Sequence, residues 1–327
     1  MQTIEELQKL IEKEVKYRSD EMLRQSPVEL YEPIHYSLTM GGKRLRPVLL
    51  LLAYNLFKED VSRALPAAIA IEVFHNFTLL HDDIMDKAAV RRNSPTVHIK
   101  FNENSAILSG DAMAFQVYKY LLECKSSRLT ETINLFTKTA IEVCEGQQFD
   151  MDFENRLDVT ESEYLEMIRL KTAVLLACSL KAGALLSDAS DKWADQLYAF
   201  GENLGLAFQL QDDLLDTFGD KDTFGKKIGN DILANKKTFL LINALQDANE
   251  DKKQELLAWM IKPDFIPEEK IKAVTNIYLE TGVKKMAEQK VDFYFDKALQ
   301  ILENIDIEDV VKQPIRELSV KMLKRKY

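Results

Sequence analysis

Glycine and proline are scarce. The chain holds 11 and 8 of them in 327 residues, roughly half the usual share of each, which disfavours turn-rich β structure and favours long uninterrupted helices. The three cysteines, Cys124, Cys144 and Cys178, lack CxxC spacing, which excludes a disulfide framework and a zinc site and leaves reduced thiols. The longest strongly apolar run, Pro47 to Tyr54, falls far short of the roughly 20 residues that cross a bilayer, so no membrane span is expected. A basic excess is missing too. With 43 Lys and Arg against 53 Asp and Glu the net charge is −10, which argues against nucleic acid as the main partner. The N-terminal stretch sets Glu5, Glu6, Glu12 and Glu14 beside Ile4, Leu7, Ile11 and Val15; it reads as an amphipathic helix without targeting character and predicts a cytoplasmic location. No linker interrupts the chain, and residues 1–327 are expected to form one all-α domain.

Against that background the apolar segment Leu79-Leu-His-Asp-Asp-Ile-Met-Asp86 stands out, together with its echo Leu210-Gln-Asp-Asp-Leu-Leu-Asp216. Residues four apart on a helix lie about 40° apart around the axis and about 6 Å along it, so Asp82 stands above Asp86 and Asp212 above Asp216. Asp83 and Asp213 point aside. Carboxylates that close repel unless a cation sits between them, and oxygen-only ligands favour a hard ion, Mg²⁺ first. One copy alone is commonly a solvated acidic face. Two copies in apolar surroundings, where unpaired charge is costly, point to metal binding.

Basic residues are clustered where an anion would sit. In Met40-Gly-Gly-Lys-Arg-Leu-Arg-Pro47 two glycines allow close backbone approach, a helix starts, and Lys43, Arg44 and Arg46 supply full charges. Cations at a helix N-terminus oppose its dipole and need a reason, and phosphate is the natural one. His75, two turns before Asp82, falls on nearly the same face. Arg91 and Arg92 precede a loop-like Asn93-Ser-Pro95 and can serve as salt-bridge partners, as phosphate clamps, or as both. The middle third offers Gln147, Asp150 and Asp152, then Lys171 and Thr172 at the head of a long apolar helix, where they can hold an amphiphile's polar head or let the lysine snorkel. Asp220 to Lys237 reads as a mobile basic flap. Helical spacing continues from Thr238 to a short basic tail, Lys324 to Tyr327.

Taken together, Gly41-Gly-Lys-Arg-Leu-Arg-Pro47, His81-Asp-Asp-Ile-Met-Asp86 with Arg91-Arg92, Lys171-Thr172, Phe208-Gln-Leu-Gln-Asp-Asp-Leu-Leu-Asp216, and Gly225-Lys226 with Lys236 resemble the motifs of the trans-type isoprenyl diphosphate synthases, the polyprenyl synthetase family, in order. The resemblance implies a homodimeric all-helical bundle of isoprenoid synthase type around a deep apolar cavity, with the two aspartate motifs across its mouth. By position it assigns Asp82, Asp86 and Asp212 to Mg²⁺, with Asp83, Asp213 and Asp216 as weaker ligands or supports. It assigns Arg91, Lys171, Thr172, Gln209, Lys226 and Lys236 to an allylic diphosphate, and Lys43, Arg46, His75 and Arg92 to isopentenyl diphosphate. Asn235 stands where the family often has glycine, a small departure because Asn tolerates left-handed backbone.

The same resemblance makes the residues four and five before Asp82, Thr78 and Phe77, candidates for limiting product length. Phe77 lies about 7.5 Å below Asp82 along a helix, whereas Thr78 is directly beneath it. A C20 product is expected, with C15 the alternative. A non-catalytic subunit would be expected to lose aspartates or cations that this chain keeps. A terpene cyclase would not need the Gly41 to Pro47 seat.

Overall fold

Thr3 opens the first helix, α1 (Ile4–Met22), through a capping box. Its hydroxyl accepts the Glu6 N–H at 3.2 Å while the Glu6 carboxylate accepts the Thr3 N–H at 2.8 Å, which satisfies two end-of-helix donors. Ile4, Leu7, Ile11 and Val15 are buried along one face, as the apolar spacing predicts. The computed structural model describes residues 2–219 and 228–323, and helix dominates them.

The chain divides into two compact units. The first comprises Met1–Lys138, Cys178–Tyr198 and Ile305–Ile315. Its helices after α1 are α2 (Val28–Thr39), α3 (Leu45–Asn55), α4 (Leu65–Met85), the single turn α5 (Val97–Lys100) and α6 (Glu103–Leu121). Residues 47–54 of α3 are buried throughout, so the longest apolar run is core. A two-stranded hairpin, β1 (Val90–Arg91) and β2 (Ser94–Pro95), follows α4 where the sequence reads as a loop. Arg92 and Asn93 form its tip with φ of 52° and 60°, the left-handed pair that a two-residue hairpin turn requires. Gly110 lets α6 lie close to α4, since a Cβ there would meet His81 Nε2 at 2.3 Å.

The second unit comprises Thr139–Ala177, Ala199–Asn304 and Arg316–Tyr327. Helices α7 (Leu129–Glu154), α9 (Val174–Leu186), α10 (Asp191–Phe218) and α16 (Asp309–Leu323) contribute residues to both units. The second unit also contains α8 (Glu161–Ile168), α11 (Asn230–Leu233), α12 (Phe239–Asp247), α13 (Glu250–Ile261), α14 (Pro267–Glu280) and α15 (Val283–Glu303). Its core joins Phe153, Tyr164, Leu210, Phe239, Leu256 and Ile277. Between α8 and α9, Arg169–Ala173 form a π turn, a wider coil that often marks a functional site. Two glycines let neighbouring helices reach it: a Cβ on Gly146 would lie 2.3 Å from Lys171 N, and one on Gly205 2.5 Å from Ala173 Cα. Among the described residues no helix is long and apolar enough to cross a membrane.

Candidate active site

In the first unit the aspartate motif occupies the end of α4. The Asp86 N–H donates to the Asp82 carbonyl at 2.8 Å, so the helical register that aligns these two carboxylates runs as far as Asp86. The helix then stops in a Schellman arrangement: Lys87 turns left-handed with φ of 52°, and the Lys87 and Ala88 N–H groups return to the Ile84 and Asp83 carbonyls. Asp83, which points aside, is buried. Arg91 Nε lies 2.8 Å from both Asp83 carboxylate oxygens, and its Nη2 is 3.3 Å from Asp82 Oδ2. Burial pushes the Asp83 carboxyl above its ordinary range, and Arg91 works against that shift. The salt-bridge reading of Arg91 therefore holds.

Alternation along β1 and its turn sends Arg92 elsewhere. Its guanidinium donates to the Gly41 carbonyl and lies where a Cβ on Gly42 would meet it at 3.0 Å. Gly41 and Gly42 have φ of 80° and 146°, conformations that glycine takes readily. The glycine loop and the hairpin tip thus hold each other. Arg46, on α3, donates through Nη1 to His75 Nε2 at 3.2 Å. Arginine has no acceptor, so His75 must present a lone pair and carry its proton on Nδ1. Burial, with Arg46, Arg92, Arg91 and Arg44 adding positive charge, holds His75 well below its ordinary pKa.

One cation of this loop has a different task. Arg44, also left-handed with φ of 50°, is buried, pairs with the buried Glu72, and donates to the Leu38 carbonyl at 2.8 Å. Asn76 donates to the same Glu72 carboxylate at 2.9 Å. Of the three charges that the sequence offers to an anion, Arg44 is spent on fixing the loop to α4. Lys43 is exposed and Arg46 half-buried.

A pH prediction follows from His75. Its folded pKa is depressed, so the unfolded chain binds the extra proton and stability is lost as pH falls below about 6.5, by about 1.4 kcal/mol per unit at most. Thermal melts of wild type and His75→Gln between pH 7 and 5.5 should show the steeper fall in the wild type. Parallel curves would contradict the assignment.

In the second unit Asp150 of α7 gathers two lysines, Lys171 Nζ at 2.6 Å and Lys236 Nζ at 3.5 Å. Burial opposes ionisation of Asp150, yet Lys236 and Lys171 outweigh it and hold the carboxyl below its usual range. Thr172 donates to Gln209 Oε1 at 3.0 Å, and Gln209 donates onward to Asp213 Oδ1 at 2.9 Å. Tyr164 donates to the other Asp213 oxygen at 2.6 Å. Burial and the nearby charge of Asp231 push Asp213 up to about 8. Asp216 accepts the Asp231 N–H on its carboxylate at 2.9 Å and the Gly229 N–H on its carbonyl at 2.6 Å, which ties the segment after α10 to its end. Asp212 is half-buried, one turn before Asp216.

Sequence spacing placed most of these residues and overlooked others. The sequence alone gives Asp150 no role and does not single out Asp231 or Tyr164, the tyrosine because nothing local links it to Asp213, 49 residues away. The part of the flap segment that is described, residues 228–237, holds the single helical turn Asn230–Leu233 and is tied to Asp216 through the Asp231 N–H and to Asp150 through Lys236. Gly225, Lys226 and the basic tail at 324–327 lie outside the described residues. No group of three or more His, Cys, Asp or Glu that could hold a metal ion occurs among the described residues. The donor set still suits Mg²⁺, whose sites commonly use one or two carboxylates completed by water and substrate phosphate.

Comparison with known proteins bears on the chemistry. The family model for polyprenyl synthetase matches residues 27–278. A geranylgeranyl diphosphate synthase of Methanosarcina mazei is 46% identical over 67% of this chain and 68% of its own length. A geranylfarnesyl diphosphate synthase of Natronomonas pharaonis is 34% identical over 94% of each. Among solved structures, a geranylgeranyl pyrophosphate synthase superimposes with a TM-score of 0.94 at 41% identity, covering 100% of both chains.

Proposed function

Because the chain belongs to the polyprenyl synthetase family, we propose that it condenses isopentenyl diphosphate head to tail with allylic diphosphates and releases the C20 all-trans product, geranylgeranyl diphosphate. The observation that carries this reading is the joint presence of both aspartate motifs, the first paired with Arg91 and the second hydrogen-bonded to Tyr164 and Gln209, in a chain that matches a geranylgeranyl pyrophosphate synthase over its whole length. The same whole-length match supports treating residues 1–327 as one functional domain.

In this reading Lys43, Arg46, His75 and Arg92 hold isopentenyl diphosphate. The neutral His75 fixes the Arg46 guanidinium, and Arg92 closes the glycine loop on it. Arg91, Lys171, Thr172, Gln209, Lys226 and Lys236 hold the allylic diphosphate, and Asp82, Asp86 and Asp212 are the residues that would hold Mg²⁺. Bound there, the metal would supply Lewis-acid stabilisation of the leaving diphosphate. The lysines and arginines stabilise the same developing charge. The allylic C–O bond breaks with its electron pair leaving on the diphosphate; the isopentenyl double bond forms the new C–C bond; the released diphosphate takes the proton. Asp83, Asp213 and Asp216 support these groups, a role that fits their hydrogen bonds to Arg91, Tyr164, Gln209 and Asp231.

Two further elements belong to the proposal. A homodimer is supported by the apolar residues exposed on and just after α6, where Leu108, Phe115 and Leu122 are 60%, 77% and 65% exposed, a patch that suits association. A cytoplasmic location fits three cysteines that form no disulfide.

Product length rests on Phe77. Its ring lies 5.5 Å from Phe74 and 4.8 Å from His81, centroid to centroid, and Phe74 meets Phe136 edge-on at 5.0 Å. A ring braced in this way resists displacement by a growing chain. Phe77→Ala should shift the main product from C20 to C25 or longer when dephosphorylated prenols are separated by chromatography. Unchanged C20 would remove Phe77 as the stop and turn attention to Thr78.

A further inference from the structure

Lys270 lies on α14 with 1% of its surface exposed. Its ammonium is 2.8 Å from Asn235 Oδ1, 3.4 Å from the Leu233 carbonyl and 4.4 Å above the Phe265 ring. Among the described residues these partners are neutral. Burying an ammonium against neutral acceptors is costly compared with leaving it in water, so the placement calls for a function.

The groups that it touches suggest one. Leu233 is the last residue of α11, and Asn235 sits just beyond with φ of 53°. The Asn235 N–H returns to the Ile232 carbonyl and the Lys236 N–H to the Asp231 carbonyl, the Schellman pattern with Asn235 at its left-handed position. The Asn235 side chain is held at both ends: its oxygen by Lys270, its Nδ2 by the Met260 carbonyl of α13 at 3.0 Å. On the other side of Lys236, Lys237 is buried and donates to the carbonyl of Glu154, the last residue of α7, at 2.9 Å. Lys236 is thereby flanked by two anchored residues, with its own Nζ 3.5 Å from Asp150, the carboxylate that also binds Lys171.

We infer that Lys270 is a positioning residue for the reaction: acting through Asn235, it locks the turn that aims Lys236 at the Asp150–Lys171 cluster and so sets affinity for the allylic diphosphate. This inference rests on the functional reading above, in which Lys236 and Lys171 contact that diphosphate. It involves no contact between Lys270 and substrate.

The test is a double-mutant cycle on the full chain with Lys270→Met, Asn235→Gly and the pair. Methionine keeps the apolar stem and removes the ammonium; glycine takes a positive φ without a side chain that needs a partner. Lys270→Met should raise KM for the allylic diphosphate about tenfold, the usual size of a lost hydrogen bond to a charged group. KM for isopentenyl diphosphate should stay within about twofold. The double variant should raise the allylic KM by clearly less than the product of the two single effects, because the orphaned amide is gone. Calorimetric titration of each variant with inorganic pyrophosphate and Mg²⁺ should show the same pattern in Kd.

A merely structural role gives a different result: Tm falls, but the allylic KM and the pyrophosphate Kd do not move, or both substrates' KM values rise together. Either outcome overturns the inference, as does strict multiplicativity in the cycle. Should Lys270→Met alone fail to fold, Asn235→Gly alone decides: a raised allylic KM and pyrophosphate Kd with an unchanged isopentenyl KM supports the clamp, and an unmoved allylic KM overturns it. A wild type that condenses nothing would defeat the functional reading instead, while the pyrophosphate titrations would still decide for or against the clamp.

Discussion

Replacing Asp82 by asparagine lowers kcat/KM for condensation on the order of 10³-fold, the usual loss when a group that stabilises developing charge is removed. The side chain keeps its size, and an amide oxygen can still accept from Arg91 Nη2, now 3.3 Å from the carboxylate. Folding should therefore change little. What disappears is a half-buried negative charge on the same α4 face as Asp86, in the position that the functional reading assigns to Mg²⁺. Steady-state rates with saturating isopentenyl diphosphate, set beside thermal melts, separate the two effects. Activity within tenfold of wild type at normal Tm would remove Asp82 from the metal set.

A different large effect comes from Arg91→Ala, which should lower stability by about 3 kcal/mol, because a buried carboxylate loses its partner. Asp83 has 3% of its side chain exposed and Arg91 24%, so solvent can repair little of the loss. The second consequence is pH dependence. Asp83 already has a raised folded pKa; without Arg91 it rises further, the folded state binds a proton that the unfolded state has released, and the variant loses stability as pH climbs above about 4. Arg91→Ala with Asp83→Asn should recover most of the stability. Activity should stay low, since Arg91 is also assigned to the allylic diphosphate. Full recovery of both would reduce Arg91 to a salt-bridge partner of Asp83.

Much of this site was readable before the fold. The four-residue spacing between Asp82 and Asp86 fixes a helical phase whatever surrounds it, and α4 carries that phase to Asp86. The scarcity of glycine and proline likewise foretold helices. The hairpin at Val90–Pro95 did not show in the sequence, because two residues per strand are too few for alternation to register. Nor did the separate task of Arg44: three cations in four residues look alike until one meets Glu72, 28 positions away. The π turn that carries Lys171 depends on close backbone approach at Gly146 and Gly205, and an isolated helical glycine gives only a faint sign of that. Lys270 looks like any lysine on an amphipathic helix. Its meaning lies in Asn235, on another element.

The most direct test of the central claim is incubation of the purified protein with Mg²⁺ and labelled isopentenyl diphosphate, with C5, C10 and C15 allylic diphosphates offered separately. The account predicts a dominant C20 product that a chelator abolishes and added Mg²⁺ restores. No condensation with any of the three starters would contradict it.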